Sequence, residues 1–366
     1  MQPYRGSGLD QKSMQLQAPR DPRSLFELFA TYDPARGLDE LLASLDVTGL
    51  EPRHIYHSIL GRRPETLQAT KRPEHYNPRD HMRGALVSPE FQRKVIPLIL
   101  NAYPEKQRLL FIHVPKCAGT DLRIGLSTRY PALDVGLGRS EWTSTQQLFA
   151  AIHEVALGLR FSDTILLHGH IRIAAAIDGG MVRPTDRIIT VIRDPVEIIM
   201  SNVNYVITRI LQDQEIGKEA PDTQGWRRTL GIDRLPAEIS DEVAVGLFNK
   251  MLHNPAIAVP NSICYWLGNG DVQSAIRRLV INDVEITDTR HYAGWLRGRW
   301  DVVRATKANE SRKFITAKHI QSDDRKFVEG ITADDREVYA LLSKQIEASG
   351  HNAIFGRDIA EIDRFK

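Results

Sequence analysis

The most constraining feature of this sequence is an apolar run that leads through a turn of small residues into a helix. Residues 109–114 have the composition of a buried strand, and Pro-Lys-Cys-Ala-Gly-Thr follows at residues 115–120. Backbone N–H groups and the positive end of the helix dipole converge at a junction of this kind, which favours the binding of an anion. The sequence therefore predicts a phosphate-binding turn at residues 115–120.

Two polar side chains belong to this turn. Lys116 adds a positive charge, and Thr120 is predicted to be the N-cap residue of the helix. The arrangement differs from the common nucleotide loop G-x-x-x-x-G-K-[ST], because Lys116 precedes Gly119 and no Mg²⁺-binding hydroxyl follows the lysine. By spacing alone, an ordinary strand-to-helix turn with a surface lysine explains the segment equally well.

A second junction of the same kind follows the apolar run at residues 187–192. Asp194 and Glu197 flank a proline in a strong helix-start pattern, with Asp194 as the N-cap. Arg193 then lies at the carboxyl end of a strand, where open parallel sheets bind their ligands. Ser201 follows Asp194 by two helical turns on the same face. An ion pair with a neighbouring carboxylate is the alternative explanation for Arg193.

A His-Gly-His sequence ends a third apolar run, at residues 165–170. His168 and His170 could form half of a metal site, but no third ligand follows at metal-site spacing. They could also be hydrogen-bonded structural histidines at the end of a strand. We interpret His113, inside the first strand, as structural.

The two junctions together resemble the nucleotide-binding segments of the sulfotransferase family. HVPKCAGTDL at residues 113–122 resembles the 5′-phosphosulfate loop, and IRDPVEIIMSNVNY at residues 192–205 resembles the 3′-phosphate segment, with the interval from Arg193 to Ser201 kept. The resemblance is to carbohydrate sulfotransferases of the heparan sulfate 2-O-sulfotransferase type and their bacterial counterparts. It extends over about residues 107–342.

This resemblance implies a sulfotransferase that uses 3′-phosphoadenosine 5′-phosphosulfate (PAPS) as donor and a hydroxyl of a saccharide or glycan as acceptor. His170 would be the general base, Lys116 would stabilise charge on the leaving oxygen, and His168 is a candidate for a supporting role. No metal is expected, because a sulfuryl group carries less charge than a phosphoryl group. The implied donor-binding residues are Lys116, Cys117, Ala118, Gly119, Thr120, Asp121, Arg193 and Ser201.

The sequence departs from the family pattern at two positions in these segments. Asp121 replaces the usual Ser or Thr, so its carboxylate either caps the helix or must point away from a bound phosphate. Ile198 stands where the family often has a second arginine, which would weaken the hold on the 3′-phosphate. Residues 309–313 fall where members of the family place a loop over the nucleotide.

Composition limits the other classes of function. The chain of 366 residues is 42% hydrophobic and 26% charged, which is ordinary for a globular protein, and its net charge of +2 provides no global basic field for nucleic acid. Only two cysteines are present, so no disulfide framework is implied. No signal peptide or transmembrane segment is recognisable in the sequence, so we expect a cytoplasmic, bacterial protein. The oligomeric state stays open.

The predicted fold is α/β, a P-loop-like and mainly parallel sheet flanked by helices, with a helical N-terminal appendage. Residues 1–22 are predicted to be disordered, 23–105 to form the helical module, 106–345 the sulfotransferase domain and 346–366 a C-terminal tail.

Two alternative functions remain at this point. The first is a P-loop kinase of a small metabolite, which would need ATP and Mg²⁺. The missing Lys-Ser/Thr pair of the nucleotide loop argues against it. The second is a non-catalytic, glycan-binding scaffold with the same fold.

Overall fold

The computed structural model describes residues 16–33, 36–65, 76–136, 144–217, 220–236, 238–302 and 312–359. Within them the chain has an α/β fold, with a mostly parallel six-stranded sheet flanked by helices, as predicted. The chain divides into two compact units, of which the first comprises Met1–Lys106 and Pro131–Ile165 and the second Gln107–Tyr130 and Leu166–Lys366.

The bounds of the elements follow in chain order. The strands are β1 (Leu16–Gln17), β2 (Leu45–Asp46), β3 (Gln107–Ile112), β4 (Ala132–Asp134), β5 (Thr164–Gly169), β6 (Arg187–Ile192), β7 (Glu285–Asp288) and β8 (Ile354–Phe355). The helices are α1 (Pro22–Thr31), α2 (Leu38–Ser44), α3 (Pro52–Leu60), α4 (Pro78–Leu86), α5 (Pro89–Ala102), α6 (Gly119–Ser127), α7 (Thr145–Leu159), α8 (Ile173–Asp178), α9 (Pro195–Ile216), α10 (Pro221–Leu230), α11 (Asp241–Leu252), α12 (Ser262–Leu267), α13 (Val272–Ile281), α14 (Tyr292–Trp300), α15 (Ser322–Ile331) and α16 (Ala333–Ala348).

The first unit is mostly helical, and it includes residues outside the predicted module of residues 23–105. Helix α7 belongs to it as well, because the apolar face of α1 packs against α7. The rings of Phe29 and Phe149 lie 5.2 Å apart, and Nδ1 of His153 contacts the carbonyl oxygen of Phe29 at 2.8 Å. The apolar surface of α1 is therefore buried by a helix that follows it by more than a hundred residues.

The ends of the chain also differ from the predicted division. Residues 1–15 lie outside the described residues, but residues 16–22 are ordered, since β1 pairs with β2 and Pro22 begins α1. The predicted C-terminal tail begins inside α16 and continues into β8, which pairs antiparallel with β7. The side chain of Ile354 in β8 is buried, so apolar contact fixes this part of the tail to the sheet.

The sheet has the strand order β4-β5-β3-β6-β7-β8. Strands β3, β6 and β7 are parallel to one another, and their apolar side chains are almost all buried, as is typical of strands covered on both faces. The chain leaves β3 towards β4 and β5 on one side and leaves β6 towards β7 on the other. Open α/β sheets bind their ligands at the carboxyl ends of the strands beside such a reversal, which here are β3 and β6.

Helix α9 follows β6 and contributes to a helical core of the second unit. Val203 and Ile207 of α9 are buried with Phe248 and Met251 of α11. The side-chain amide of Asn204 donates to the carbonyl oxygen of Ile315 at 2.9 Å, which satisfies a polar group within this core. Among the described helices, none is long and apolar enough to cross a membrane.

Candidate active site

The first predicted junction forms a tight turn between β3 and α6. The N–H of Cys117 donates to the carbonyl oxygen of Val114 at 3.3 Å, with Pro115 and Lys116 at the two central positions. Lys116, the third residue of this turn, has a φ of 64°. Glycine or asparagine normally occupies a turn position with this left-handed conformation. A lysine in this conformation is strained, and strained backbone concentrates at functional sites.

Helix α6 begins two residues earlier than the sequence pattern predicts. Its N-cap residue is Ala118, with a φ of 58°, and no side chain caps the helix. The prediction of Thr120 as N-cap residue is therefore wrong, because Gly119 already has helical geometry and Thr120 lies in the first turn. The side chain of Ala118 has no acceptor for the N-terminal N–H groups, so the N-cap residue itself does not compete with an anion for the donors of the first turn.

Gly119 is required by the packing of one side chain. A Cβ atom at this position would lie 1.9 Å from Cδ2 and 2.0 Å from Nε2 of His113. The imidazole of His113 therefore occupies the space that every other residue type would need at position 119. The glycine of the turn is explained by this ring as much as by any approach of a ligand.

His113 connects the turn to the end of β5. Its N–H donates to the carbonyl oxygen of Gly169 at 3.2 Å, and its ring stacks on the ring of His170 with centroids 4.1 Å apart. Burial, followed by the charges of His170 and other neighbouring basic groups, lowers the pKa of His113 to about 3. His113 is therefore neutral at physiological pH, and it is a residue of the site that our sequence interpretation assigned only to structure.

The glycine of the His-Gly-His sequence turns the chain so that the two histidines face different surroundings. Gly169 has a φ of 151°, and its carbonyl oxygen accepts hydrogen bonds from His113 and from Ile171. His168 is only 6% exposed, within β5, whereas His170 is exposed beyond the end of the strand. Only the second histidine can meet a ligand from solvent.

The tautomer of His170 is set by a backbone carbonyl. Nδ1 of His170 lies 3.0 Å from the carbonyl oxygen of His113, which can only accept, so Nδ1 carries the proton and donates. In the neutral ring, Nε2 then carries the lone pair. A histidine oriented in this way has the arrangement that a general base needs.

Lys116 lies over an aromatic ring in a desolvated place. Its Nζ is 4.0 Å from the ring centroid of Tyr205 in α9, a cation–π contact. Burial, with the nearby charge of Arg193, lowers the pKa of Lys116 to about 8. The ammonium group is thus poorly compensated and would gain from a bound anion.

Arg193 joins the second junction to the first. Its Nη1 donates to the carbonyl oxygen of Lys116 at 3.3 Å, and its Nε donates to Oε2 of Glu197 at 2.9 Å. Of the five N–H donors of a guanidinium, these contacts use two and leave three. Arg193 therefore forms the ion pair that we considered as its alternative explanation, and it also lies at the predicted turn. Ser201 is half-buried in α9, two turns after the start of the helix.

Two other predicted donor-binding residues have roles within the protein. Oδ2 of Asp121 accepts a hydrogen bond from the hydroxyl of Tyr292 at 3.0 Å, so its carboxylate is turned towards α14 and does not cap α6. The thiol of Cys117 is fully buried, and burial raises its pKa, which makes it a packing residue without thiolate reactivity. Its backbone N–H closes the turn.

The structure thus brings Lys116, Arg193 and His170 to the ends of β3, β6 and β5, where the ring of His113 lies between Gly119 and His170. Arg193 lowers the pKa of Lys116, and both Lys116 and His170 contribute to the low pKa of His113, so these groups act on one another electrostatically. Residues 309–311, in the segment predicted to cover a nucleotide, lie outside the described residues. In the described part of the chain, no group of three or more His, Cys, Asp or Glu side chains could hold a metal ion.

The roles of His113 and Tyr205 could not be read from the sequence, because each depends on a contact with a residue more than fifty positions away. No protein-family model matches this sequence, and no curated protein is significantly similar to it, so its function must be argued from the residues of this site.

Proposed function

We propose that this protein is a sulfotransferase that transfers a sulfuryl group from PAPS to a hydroxyl of a saccharide or glycan, with His170 as general base. The observation that carries the proposal is the orientation of His170 by the carbonyl oxygen of His113, next to a turn that presents Lys116 and a helix N-terminus. The resemblance of both junctions to the sulfotransferase segments agrees with this geometry.

The residues present fit a donor with two phosphate groups. Lys116 and the first turn of α6 would hold the 5′-phosphosulfate, because a desolvated ammonium and helix N–H groups both favour an anion. The three remaining donors of Arg193, with the hydroxyl of Ser201, would hold the 3′-phosphate. This assignment gives the turn at residues 115–120 a P-loop-like character without the adjacent Lys-Ser/Thr pair, whose hydroxyl binds Mg²⁺ in the common nucleotide loop.

His170 and Lys116 would divide the chemistry between them. His170 takes the proton of the acceptor hydroxyl at Nε2 while the acceptor oxygen forms a bond to sulfur. The bond between sulfur and the phosphate oxygen breaks, and Lys116 stabilises the negative charge that develops on that oxygen. General base catalysis of this kind typically contributes about 10²–10⁴-fold to the rate. The proposal includes a bacterial, cytoplasmic setting, which agrees with two cysteines that are both free thiols.

The first test is calorimetric titration with adenosine 3′,5′-bisphosphate, with ATP and Mg²⁺ as the comparison. We expect binding of the bisphosphate, and weaker binding by Arg193→Ala. A preference for ATP with Mg²⁺ would favour the kinase, and binding of neither nucleotide would favour the scaffold.

The second test separates an enzyme from a scaffold by measuring turnover with PAPS and a panel of saccharides. We expect His170→Ala to abolish transfer and to leave binding of the bisphosphate unchanged. His351→Ala, at an exposed histidine near the C-terminus, is the matched control and should behave as the wild type. Near-normal turnover by His170→Ala would refute the role of His170.

A further inference from the structure

A cavity of about 300 Å³ lies among three helices of the first unit. Phe29 of α1, Leu41 of α2 and Phe149 of α7 contribute its apolar walls. Small-molecule sites have volumes of about 300–1,000 Å³ and are lined mainly by apolar and aromatic side chains. The cavity therefore has the size and the lining of a site for a small ligand of one or two rings.

The walls of this cavity are fixed by contacts within the first unit. The rings of Phe29 and Phe149 pack against each other with centroids 5.2 Å apart, and both side chains are buried. The hydroxyl of Tyr32, which also lines the cavity, donates to the carbonyl oxygen of Gly37 and so joins the end of α1 to the start of α2. A ligand would enter a preformed space, so little free energy would be lost to ordering of the protein.

The lining also limits the charge of the ligand. None of the described residues that line the cavity is Asp, Glu, Lys or Arg. An ion transferred from water to such surroundings would lose hydration without gaining a partner, which is costly. A neutral, mainly apolar molecule removes apolar surface from water when it enters. The lining therefore disfavours a nucleotide or a sulfated sugar and favours a neutral ring compound.

One side chain of the lining offers a hydrogen-bond acceptor. Nδ1 of His153 lies 2.8 Å from the carbonyl oxygen of Phe29, which can only accept, so Nδ1 carries the proton and donates. In the neutral ring, Nε2 then has a lone pair. Nε2 has no hydrogen-bond partner among the described residues, yet it is not sealed from solvent. A bound molecule with an N–H or O–H group can supply the missing donor.

We propose that this cavity binds a neutral aromatic compound of one or two rings whose N–H or O–H group donates to Nε2 of His153. The rings of Phe29, Tyr32 and Phe149 pack against the ligand in tilted or edge-on contacts, as aromatic pairs prefer. The proposal does not depend on the sulfotransferase function, because every residue in it belongs to the first unit, whereas the residues of the candidate active site belong to the second.

The test is calorimetric titration of the whole chain with indole and, separately, with benzofuran. The two probes have nearly the same shape, but indole has an N–H group where benzofuran has a ring oxygen. We expect indole to bind with a dissociation constant below about 1 mM and about fivefold more tightly than benzofuran, the effect of one neutral hydrogen bond. Equal affinities, or no saturable binding of either probe, would overturn the proposal.

Two variants test the acceptor. His153→Phe keeps a ring without an acceptor, and His153→Asn keeps a donor near the position of Nδ1 for the carbonyl oxygen of Phe29. In both variants, indole should lose its advantage over benzofuran. An advantage that persists in either variant would contradict the role of Nε2.

A third variant tests the place of binding. Leu38→Trp puts a larger side chain into the cavity from α2, and it should weaken both probes by about tenfold or more. Leu157→Trp is the matched control and should leave both affinities unchanged, since Leu157 is an exposed leucine of α7 that does not line the cavity. Thermal unfolding reports whether each variant is folded. Equal affinities of the two folded leucine variants would place the probes elsewhere and overturn the proposal.

Discussion

The two strand-to-helix junctions of this protein have similar sequence patterns but differ in the groups that they offer to an anionic ligand. At the second junction the side chain of Asp194 accepts hydrogen bonds from the N–H groups of Val196 and Glu197, so the protein itself caps α9. At the first junction the N-cap residue of α6 is Ala118, whose methyl group cannot accept a hydrogen bond. The first junction can therefore bind an anion with its backbone, whereas the second would do so through the side chains of Arg193 and Ser201. An N-cap residue decides whether a helix start is a structural feature or a binding site.

The largest effect should come from filling the space that His113 occupies at the first junction. Gly119→Ala would place a Cβ 1.9 Å from the ring of His113, so the ring, and with it His170, must move. We expect sulfuryl transfer to fall by about 100-fold, within the range of general base catalysis, and the free energy of unfolding to fall by about 1–3 kcal/mol from overpacking.

The matched control for Gly119→Ala is Gly84→Ala in α4, where a Cβ would meet nothing within 4 Å. That variant should be neutral or stabilised, since alanine suits a helix interior better than glycine. Thermal unfolding and turnover measure both variants. Wild-type activity in Gly119→Ala would show that the position of His113 does not matter.

The second prediction converts the first junction into a copy of the second. Ala118→Asp supplies the carboxylate that α6 lacks, so it should weaken adenosine 3′,5′-bisphosphate by about tenfold or more through repulsion at close range. Ala118→Asn has the same size without the charge, and asparagine tolerates the left-handed backbone at this position. Equal affinities of the two variants, measured by calorimetry, would contradict a role of α6 in binding the anion.

The third prediction uses the lowered pKa of Lys116. A bound anion favours the charged ammonium, so the pKa in the complex is higher than the value of about 8 in the free protein. Between these two values, affinity for the bisphosphate should fall by about tenfold per pH unit as the pH rises. The phosphates are already fully ionised there, because their second pKa is about 6.

Lys116→Arg separates this titration from other effects of pH, since arginine stays charged over the whole range. Its affinity should be nearly constant between pH 7.5 and 9.5.

The stability of the unliganded wild type should rise over the pH range in which its affinity for the bisphosphate falls. A folded-state pKa below the unfolded value means that the unfolded chain binds more protons, so stability rises with pH above about 8. A wild-type affinity that does not depend on pH would exclude Lys116 as a donor-binding group.

The smallest effect should come from the ion pair at the second junction. Glu197 is half-exposed and shares the guanidinium of Arg193 with any bound phosphate. Glu197→Gln removes the competing charge, and we expect the bisphosphate to bind about two- to fivefold more tightly, as the strength of an exposed ion pair allows. Asp213→Asn, further along the same helix and pairing with Arg209, is a control that should leave the affinity unchanged.

Local patterns in the sequence predicted the bounds of β6 and the start of α9, whereas β3 ends at Ile112, two residues before the predicted end. Strand β6 has the predicted bounds, and Asp194 caps α9 as expected, because both depend only on neighbouring residues. The N-cap of α6 was predicted wrongly, since the choice of Ala118 over Thr120 depends on the left-handed turn before it. A hydroxyl residue is a good N-cap only where the backbone lets its side chain reach the first turn.

Contacts distant in sequence could not be predicted in the same way. The two-residue strand β8 exists because β7 offers it an edge, and α7 joins the first unit because α1 has an apolar face to cover. In the candidate site, Lys116, Arg193 and His170 were predicted from motifs, whereas the ring of His113 between Gly119 and His170 depends on tertiary packing.

The group that orients His170 is the carbonyl oxygen of residue 113, which every amino acid provides. The orientation of the base is therefore inherited from the backbone of the sheet, and no single side-chain replacement that keeps the strand can delete the acceptor. A substitution at position 113 can alter the packing against the ring of His170, but the backbone carbonyl oxygen of residue 113 remains the acceptor for its Nδ1. A different side chain at position 113 would therefore leave in place the acceptor that orients the base.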